Sequence, residues 1–246
     1  MDLDIVVLTK NEARNLPACL ESVRGLGRVV VIDDDSSDET VSIALAAGAE
    51  VHSRALDDFS SQRNFGLSKC SSPWVFFLDA DERVAPGLAL SIGEAMRGGP
   101  AAGRVLRRNF AFGRRFRFGH LAPDKVARLF PRGRVEWRGE VHESPETDLP
   151  VADLAGHLEH HTYGGWGDFL AKMQRYSAIW AGEAAAKGKK SGVCRALTKA
   201  ACNFLKTMVL KLGFLDGPAG AAVSAVAAYY TLSKYLLLCD KTRGGD

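Results

Sequence analysis

Apolar residues fall along the first hundred positions in short dense runs, separated by stretches with helical spacing. Leu3 to Leu8 is apolar except at Asp4, Val29 to Ile32 is apolar throughout, and Trp74 to Leu78 is an unbroken bulky run. Runs of this length, rich in β-branched and aromatic types, predict buried strands. After the first of them, Leu16, Leu20 and Val23 stand at helical spacing, which predicts a helix to about Arg24 with Asn15 as its N-cap. Ser36-Ser37-Asp38-Glu39 has the form of a capping box and predicts a helix to about Ala47, ended by Gly48. A short strand over 50–53 and helices over 62–70 and 85–97 complete the pattern, and Gly98-Gly99-Pro100 closes it. Alternating strands and helices predict an α/β sheet with crossover helices.

Two of the runs end in carboxylates: Asp33-Asp34-Asp35 and Asp79-Ala80-Asp81-Glu82. Ligands of an open parallel sheet bind beyond the carboxyl ends of its strands. If the backbone stays extended, residues i and i+2 point to the same side, so Asp79 and Asp81 are a candidate pair of ligands for Mg²⁺ or Mn²⁺. An acidic turn without a ligand fits these residues equally well. Neither G-x-G-x-x-G nor a P-loop lysine motif occurs, which removes support from the ordinary dinucleotide and Walker-type readings.

Charge sharpens the picture. Asp33 to Glu82 holds eleven acidic and three basic residues, whereas Arg104 to Arg138 holds eleven basic and two acidic ones. A carboxylate-lined site facing a basic surface suits a metal and phosphates between them; two solvated faces of opposite sign is the plainer alternative. The five cysteines are scattered, with no C-x-x-C pair, as expected of reduced thiols in a cytoplasmic setting. Met1-Asp2-Leu3-Asp4 enters a strand directly and lacks the basic and apolar regions of a signal peptide.

Leu8-Thr9-Lys10-Asn11-Glu12, Val31-Ile32-Asp33, Ser37-Asp38-Glu39-Thr40, Gln62-Arg63-Asn64 and Asp79-Ala80-Asp81-Glu82 resemble, in order and spacing, the motifs of family 2 glycosyltransferases. Further on, Arg128-Leu129-Phe130, Val141-His142-Glu143, His160/His161 with Tyr163, Arg175-Tyr176 and Gly213-Phe214-Leu215-Asp216-Gly217 resemble the subgroup that includes lipopolysaccharide-core β-glucosyltransferases. The resemblance implies a GT-A fold: a Rossmann-like, mostly parallel sheet flanked by helices. It implies transfer of a sugar, glucose-type by family expectation, from a nucleotide-diphosphate sugar (UDP) to a glycolipid or phosphorylated saccharide. Inversion by direct displacement is implied as well.

By the same resemblance Asp33 binds the uracil or ribose, and Thr9 and Glu12 wall the nucleotide pocket. Arg63 neutralises a donor phosphate or holds the pyrimidine, and Asp79 and Asp81 hold the ribose and the metal. Asp34-Asp35 departs from the small or turn-forming residues of many relatives and leaves the geometry of that loop open. The acceptor hydroxyl must lose a proton, which calls for a carboxylate or histidine. Glu143 is the first candidate by family position, with His142, Glu140 and Asp124 as alternatives.

In the basic segment, Phe110/Phe112 and Phe116/Phe118 alternate as in strands lining one face, here the expected acceptor side; no nucleic-acid partner is expected. The expected division is a glycosyltransferase domain over 1–165, with a donor half to 100, and a helical region over 166–246. In that region Asp168 to Lys187, Arg195 to Phe214 and Gly217 to Cys239 read as helices, with a break at Asp216-Gly217-Pro218. The uncharged stretch Gly217 to Ser233 is short for a span, whereas Arg195, Lys199 and Lys206 form a basic stripe. Peripheral or monotopic attachment to the inner face of a bacterial membrane is the expectation; a soluble helical subdomain is the alternative. A dehalogenase-like phosphatase, a polyprenyl-phosphate sugar transferase and a non-catalytic scaffold are the functional rivals.

Overall fold

The apolar runs become neighbouring strands. In the computed structural model, which describes residues 2–139 and 143–243, they are β1 (Leu3–Thr9), β2 (Arg28–Asp33), β3 (Glu50–Ser53) and β4 (Trp74–Asp79). They pair in parallel in the order β3-β2-β1-β4. Ile5, Val7, Val31, Phe76 and Leu78 are buried in one core layer, and Val6, Val30, Ile32, Val75 and Phe77 in the other. Burial on both faces explains why these strands are apolar throughout rather than alternating.

Asp4, the one polar break in β1, is fully buried. Its oxygens accept from Arg28 Nε and Nη2 (both 2.9 Å) and from the backbone N–H groups of Ser71 and Ser72 (2.6 and 2.8 Å). Burial alone pushes the carboxyl up, but Arg28 and the serine bonds outweigh it and hold Asp4 below the ordinary carboxylate range. Asp4 thereby ties β1 to β2 and to the loop that leads into β4.

The crossover helices are α1 (Leu16–Ser22), α2 (Thr40–Ala46), α3 (Phe59–Ser68) and α4 (Pro86–Arg97). Two expected caps fail for one reason, that the side chain is used elsewhere. Asn15 precedes α1 but donates to Glu12 Oε2 (2.8 Å), and Ser36 donates to Asp33, so α2 begins only at Thr40. α3 starts earlier than Gln62, because Asp58 caps it by accepting from the Ser61 N–H (2.9 Å). Gly66 lets α3 approach the sheet: a Cβ there would meet Val6 Cγ1 at 2.5 Å and Ile32 Cγ1 at 3.1 Å.

Beyond β4 the pairing changes sense. The later strands are β5 (Glu82–Val84), β6 (Ala102–Ala111), β7 (Arg114–Arg115), β8 (Asp124–Pro131), β9 (Glu136–Arg138), β10 (Ser144–Glu146), β11 (Val151–Asp153) and β12 (Leu158–Tyr163). The sheet continues β4-β8-β6-β12-β5, with β8 antiparallel to β4 and β6, and β5 antiparallel to β12. Parallel pairing therefore dominates the donor half alone. The α/β fold is the expected GT-A arrangement, followed by a helical C-terminal region.

The chain forms two compact units, divided differently from a single cut at 165. One comprises the described residues up to Arg107 with those from Asp124 to His161; the other comprises Arg108–Pro123 with those from Thr162 onward. The tip of the β6–β7 hairpin, from Arg108, thus belongs with the helices, and two of its four phenylalanines, Phe112 and Phe116, are core residues there rather than part of an acceptor-lining row. Phe116 is buried and Phe112 partly buried in a cluster with Tyr163 and Phe169, and Phe112 stacks on Trp166 at 3.9 Å. Within this unit α7 (Gly217–Arg243) packs on both α5 (Trp166–Ala186) and α6 (Val193–Leu205). Residues 213–242 are long and apolar enough to cross a membrane by length and composition. Within it Val223, Ala227 and Leu238 are buried against the rest of the unit, while most of the stretch is not.

Candidate active site

The two acidic strand ends are built on opposite principles. At the end of β2, Asp33 is buried and its carboxylate is satisfied by neutral donors: Thr9 Oγ1 (2.8 Å), the Ser36 N–H (2.8 Å) and Ser36 Oγ (2.6 Å). The loop after β1 interlocks with it. Asn11 N–H donates to Ser36 Oγ, Asn11 Oδ1 accepts from the Ser37 N–H, and Glu12 N–H donates to Thr40 Oγ1, each at 2.8 Å. Asn11 and Asp35 take left-handed backbone (φ 53° and 46°), a conformation that Asn and Asp tolerate better than other residues with a Cβ. The unusual Asp34-Asp35 pair is accommodated in this way: Asp34 accepts from the Leu56 N–H (2.8 Å) and Asp35 from Ser53 Oγ (2.8 Å). Thr9, Glu12 and Asp33 are therefore brought together, with Asp33 as the lock between the two loops.

At the end of β4 the donors are charged. Asp79 Oδ1 accepts from Arg63 Nη2 (2.8 Å) and Oδ2 from Arg128 Nη2 (2.6 Å). Arg128 Nη2 also reaches Glu82 Oε1 (2.7 Å), and Glu82 Oε2 accepts the Asp79 N–H (3.0 Å). Burial pushes both carboxyls up. For Asp79 the fields of Arg128 and Arg63 win and hold it far below the usual range; for Glu82 burial wins, reinforced by the negative charge of Asp79. A buried array with two carboxylates and Arg128 between them is held by mutual compensation, which makes each member costly to remove.

The extended-backbone argument that paired Asp79 with Asp81 does not hold. Strand β4 ends at Asp79, and Ala80-Asp81 turns the chain into β5. Strand β12 braces the turn: His160 pairs with Glu82 in the register, and the His161 N–H donates to the Asp81 carbonyl (2.8 Å). This register sets His160 Nε2 3.2 Å from Asp81 Oδ2, with both side chains partly open to solvent. Among the described residues no group of three or more His, Cys, Asp or Glu side chains is placed to hold a metal. One carboxylate oxygen and one imidazole nitrogen are donors of the type that could hold a divalent cation together with water and diphosphate oxygens.

Gln62-Arg63-Asn64 also resolves into separate tasks. Gln62 Nε2 donates to the Arg54 carbonyl (2.8 Å), and Asn64 exchanges two bonds with the backbone of Trp137 (2.8 and 2.9 Å). Arg63, between them, lies over the Trp137 ring at 4.6 Å. Its side chain is 5% exposed, and Nε and Nη1 have no partner among the described residues. Buried donors left unmade are costly, so this guanidinium, with two such nitrogens, is equipped to take an incoming anion.

Glu143 Oε1 is 3.8 Å from Arg63 Nη2, which brings the first base candidate to the Asp79 cluster. Glu140 and His142 lie outside the described residues. Asp124 is held by Arg107, Nε to Oδ1 at 3.0 Å and Nη2 to Oδ2 at 2.7 Å, and is thereby committed to an ion pair. Sequence reasoning gave no role to Arg128, Glu82 or His160. Each stood inside a quoted motif, but their partners lie in other strands and no local pattern announces them.

A lipopolysaccharide core biosynthesis glycosyltransferase, LpsC, of Rhizobium meliloti is 26% identical over 249 residues, covering 95% of this chain and 92% of that protein. An uncharacterized glycosyltransferase of Rickettsia felis is 25% identical over 252 residues, covering 93% of this chain and 87% of its own length. Among solved structures, TarS of S. aureus aligns with a TM-score of 0.46 at 15% identity, over 73% of this chain; the chain spans 40% of the length of TarS. The model of glycosyl transferase family 2 matches residues 4–145, more than half of the chain, and the protein belongs to that family.

Proposed function

We propose that this glycosyltransferase moves a hexose, glucose-type, from a UDP-sugar to a glycolipid acceptor of the lipopolysaccharide-core class, with inversion at the anomeric carbon. The observation that carries the donor side is Arg63: buried, anchored on Asp79 and Trp137, with two nitrogens, Nε and Nη1, unpartnered among the described residues. A donor phosphate would satisfy them. The locked loops of Thr9, Glu12 and Asp33 would wall the nucleoside, and Asp79, clamped by two arginines, would face the ribose. Asp81 with His160 would hold Mg²⁺ or Mn²⁺; when bound, the ion supplies charge stabilisation to the leaving diphosphate. Asp79 is the weaker metal ligand, because both of its oxygens already accept from arginine.

Glu143 would take the proton of the acceptor hydroxyl. It lies beside Arg63 and is reachable from solvent, as an acceptor-facing base must be. The similarity to LpsC along nearly the whole chain supports the acceptor class, and a lipid-linked acceptor would put the work at the cytoplasmic face of the inner membrane. The test is release of UDP from UDP-glucose in the presence of Mn²⁺, with and without lipopolysaccharide truncated in its core. Acceptor-stimulated release, lost in Glu143→Gln, is expected. Indifference to the truncated core would remove the acceptor assignment, and normal turnover in the variant would remove Glu143.

A further inference from the structure

Helix α6 is mounted inside out for a helix bathed in water. Its amide faces the protein: Asn203 Nδ2 donates to the Ala227 carbonyl and to Thr231 Oγ1 of α7 (both 2.9 Å), and the buried Thr207, just past the helix end, donates back to the Asn203 carbonyl (2.9 Å). Its leucines face outward. Leu197 and Leu205 are more than half exposed, and the ridge continues through the following turns with Leu210 at 79% and Phe214 at 47%. An amphipathic helix normally buries the apolar side and shows the polar one, so this arrangement asks for an apolar environment outside the unit.

Charge narrows the choice of that environment. From Lys187 to Leu215 there are seven lysine or arginine residues and no aspartate or glutamate. Arg195, Lys199, Lys206 and Lys211 are exposed along α6 and its extension. At the start of α6, Trp180, Lys189, Lys190, Arg195 and Tyr235 line a cleft of about 280 Å³, with indole and phenol rings 5.2 Å apart. Apolar side chains flanked by cations and amphipathic rings are the composition of a helix lying in the interface of an anionic bilayer. With no carboxylate between Lys187 and Leu215, the ridge carries cations only, which suits an anionic surface.

We infer that α6 and the turn Val209–Leu215 form a monotopic docking ridge for an anionic phospholipid surface. The apolar residues enter the interfacial layer and the lysines pair with head-group phosphates. This goes beyond the proposed reaction and stands on residues that take no part in it. Its test is co-sedimentation of the full chain with vesicles of equimolar phosphatidylethanolamine and phosphatidylglycerol, against vesicles of phosphatidylcholine. The wild type should bind the anionic vesicles and resist release by high salt. Lys206→Glu/Lys211→Glu should weaken binding by about fivefold or more per lysine. Leu210→Glu/Phe214→Glu should weaken it at least roughly tenfold.

Both variants should still hydrolyse UDP-glucose at the wild-type rate without lipid, which shows that they fold. Loss of hydrolysis in the wild type with vesicle binding intact would count against the proposed reaction and leave the ridge standing. Phe214→Trp gives an independent reading, a blue-shifted emission on addition of anionic vesicles. Absence of vesicle binding, complete release by salt, or unchanged emission would overturn the inference. So would a lipid-free dimer that Leu210→Glu/Phe214→Glu turns into a monomer.

Discussion

Asp33 and Asp79 end the two strands that flank β1 in the parallel part of the sheet and look alike in sequence, yet they are stabilised in different ways. Asp33 is held by hydroxyl and backbone donors that fix two loops against each other. Asp79 is held by two guanidinium groups and shares one of them with Glu82. A carboxylate bound by neutral donors shapes a cavity, whereas one embedded among arginines sets up a site where further charge can be exchanged. On the function proposed above, the nucleoside would meet the first kind of construction and the diphosphate the second.

The contrast can be broken most forcefully at Arg128. Arg128→Met leaves Asp79 and Glu82 facing each other in a buried site and should cost about 3–5 kcal/mol of stability by urea unfolding. Arg128→Lys should recover part of it, since it restores the charge but not the shared guanidinium. If Arg128→Met were as stable as the wild type, the cluster would not be held by that charge. At Glu143 the loss should fall on chemistry alone: Glu143→Gln should lower transfer by roughly 10²-fold or more while unfolding within about 0.5 kcal/mol of the wild type.

At Asp33 the effect should be smaller and structural, about 1–3 kcal/mol for Asp33→Ala, with loosened loops seen as faster amide exchange at Asn11 and Ser37. Smaller still is Asp35→Gly, which relieves a left-handed non-glycine residue but loses the Ser53 bond; a change within about 1 kcal/mol is expected. Acid probes the charged construction separately. Asp79 and Asp4 have depressed folded values, so their stabilisation is present above the ordinary carboxylate range and is lost as pH falls through and below it. Asp4→Asn should flatten the acid limb of the stability curve and lower the plateau near neutrality; an unchanged acid limb would remove Asp4 from it.

The donor half was legible in the sequence because its information is local. Continuous apolar runs dictated buried parallel strands, and the acids at their ends marked the edge where ligands bind. What local pattern could not supply was partnership across the chain. Ser36 reads as an N-cap until Asp33 takes its hydroxyl, and Asp79-Ala80-Asp81 reads as extended until β12 braces the turn. Phe112 and Phe116 read as a row along a strand, but φ 54° at Phe112 breaks the alternation and sends both into the helical unit's core. Arg128 lies 49 positions from Asp79, and no periodicity encodes that distance.

On the proposed function the end of β4 is a metal-assisted nucleotide-sugar site in which Asp81 and His160 carry the ion. Calorimetric titration of UDP into the protein, with and without Mn²⁺, tests it most directly. Binding tightened at least roughly tenfold by Mn²⁺ in the wild type, and indifferent to Mn²⁺ in Asp81→Asn and His160→Ala, is the predicted result. Equal affinity with and without the metal in the wild type, or an undiminished metal effect in both variants, would contradict it.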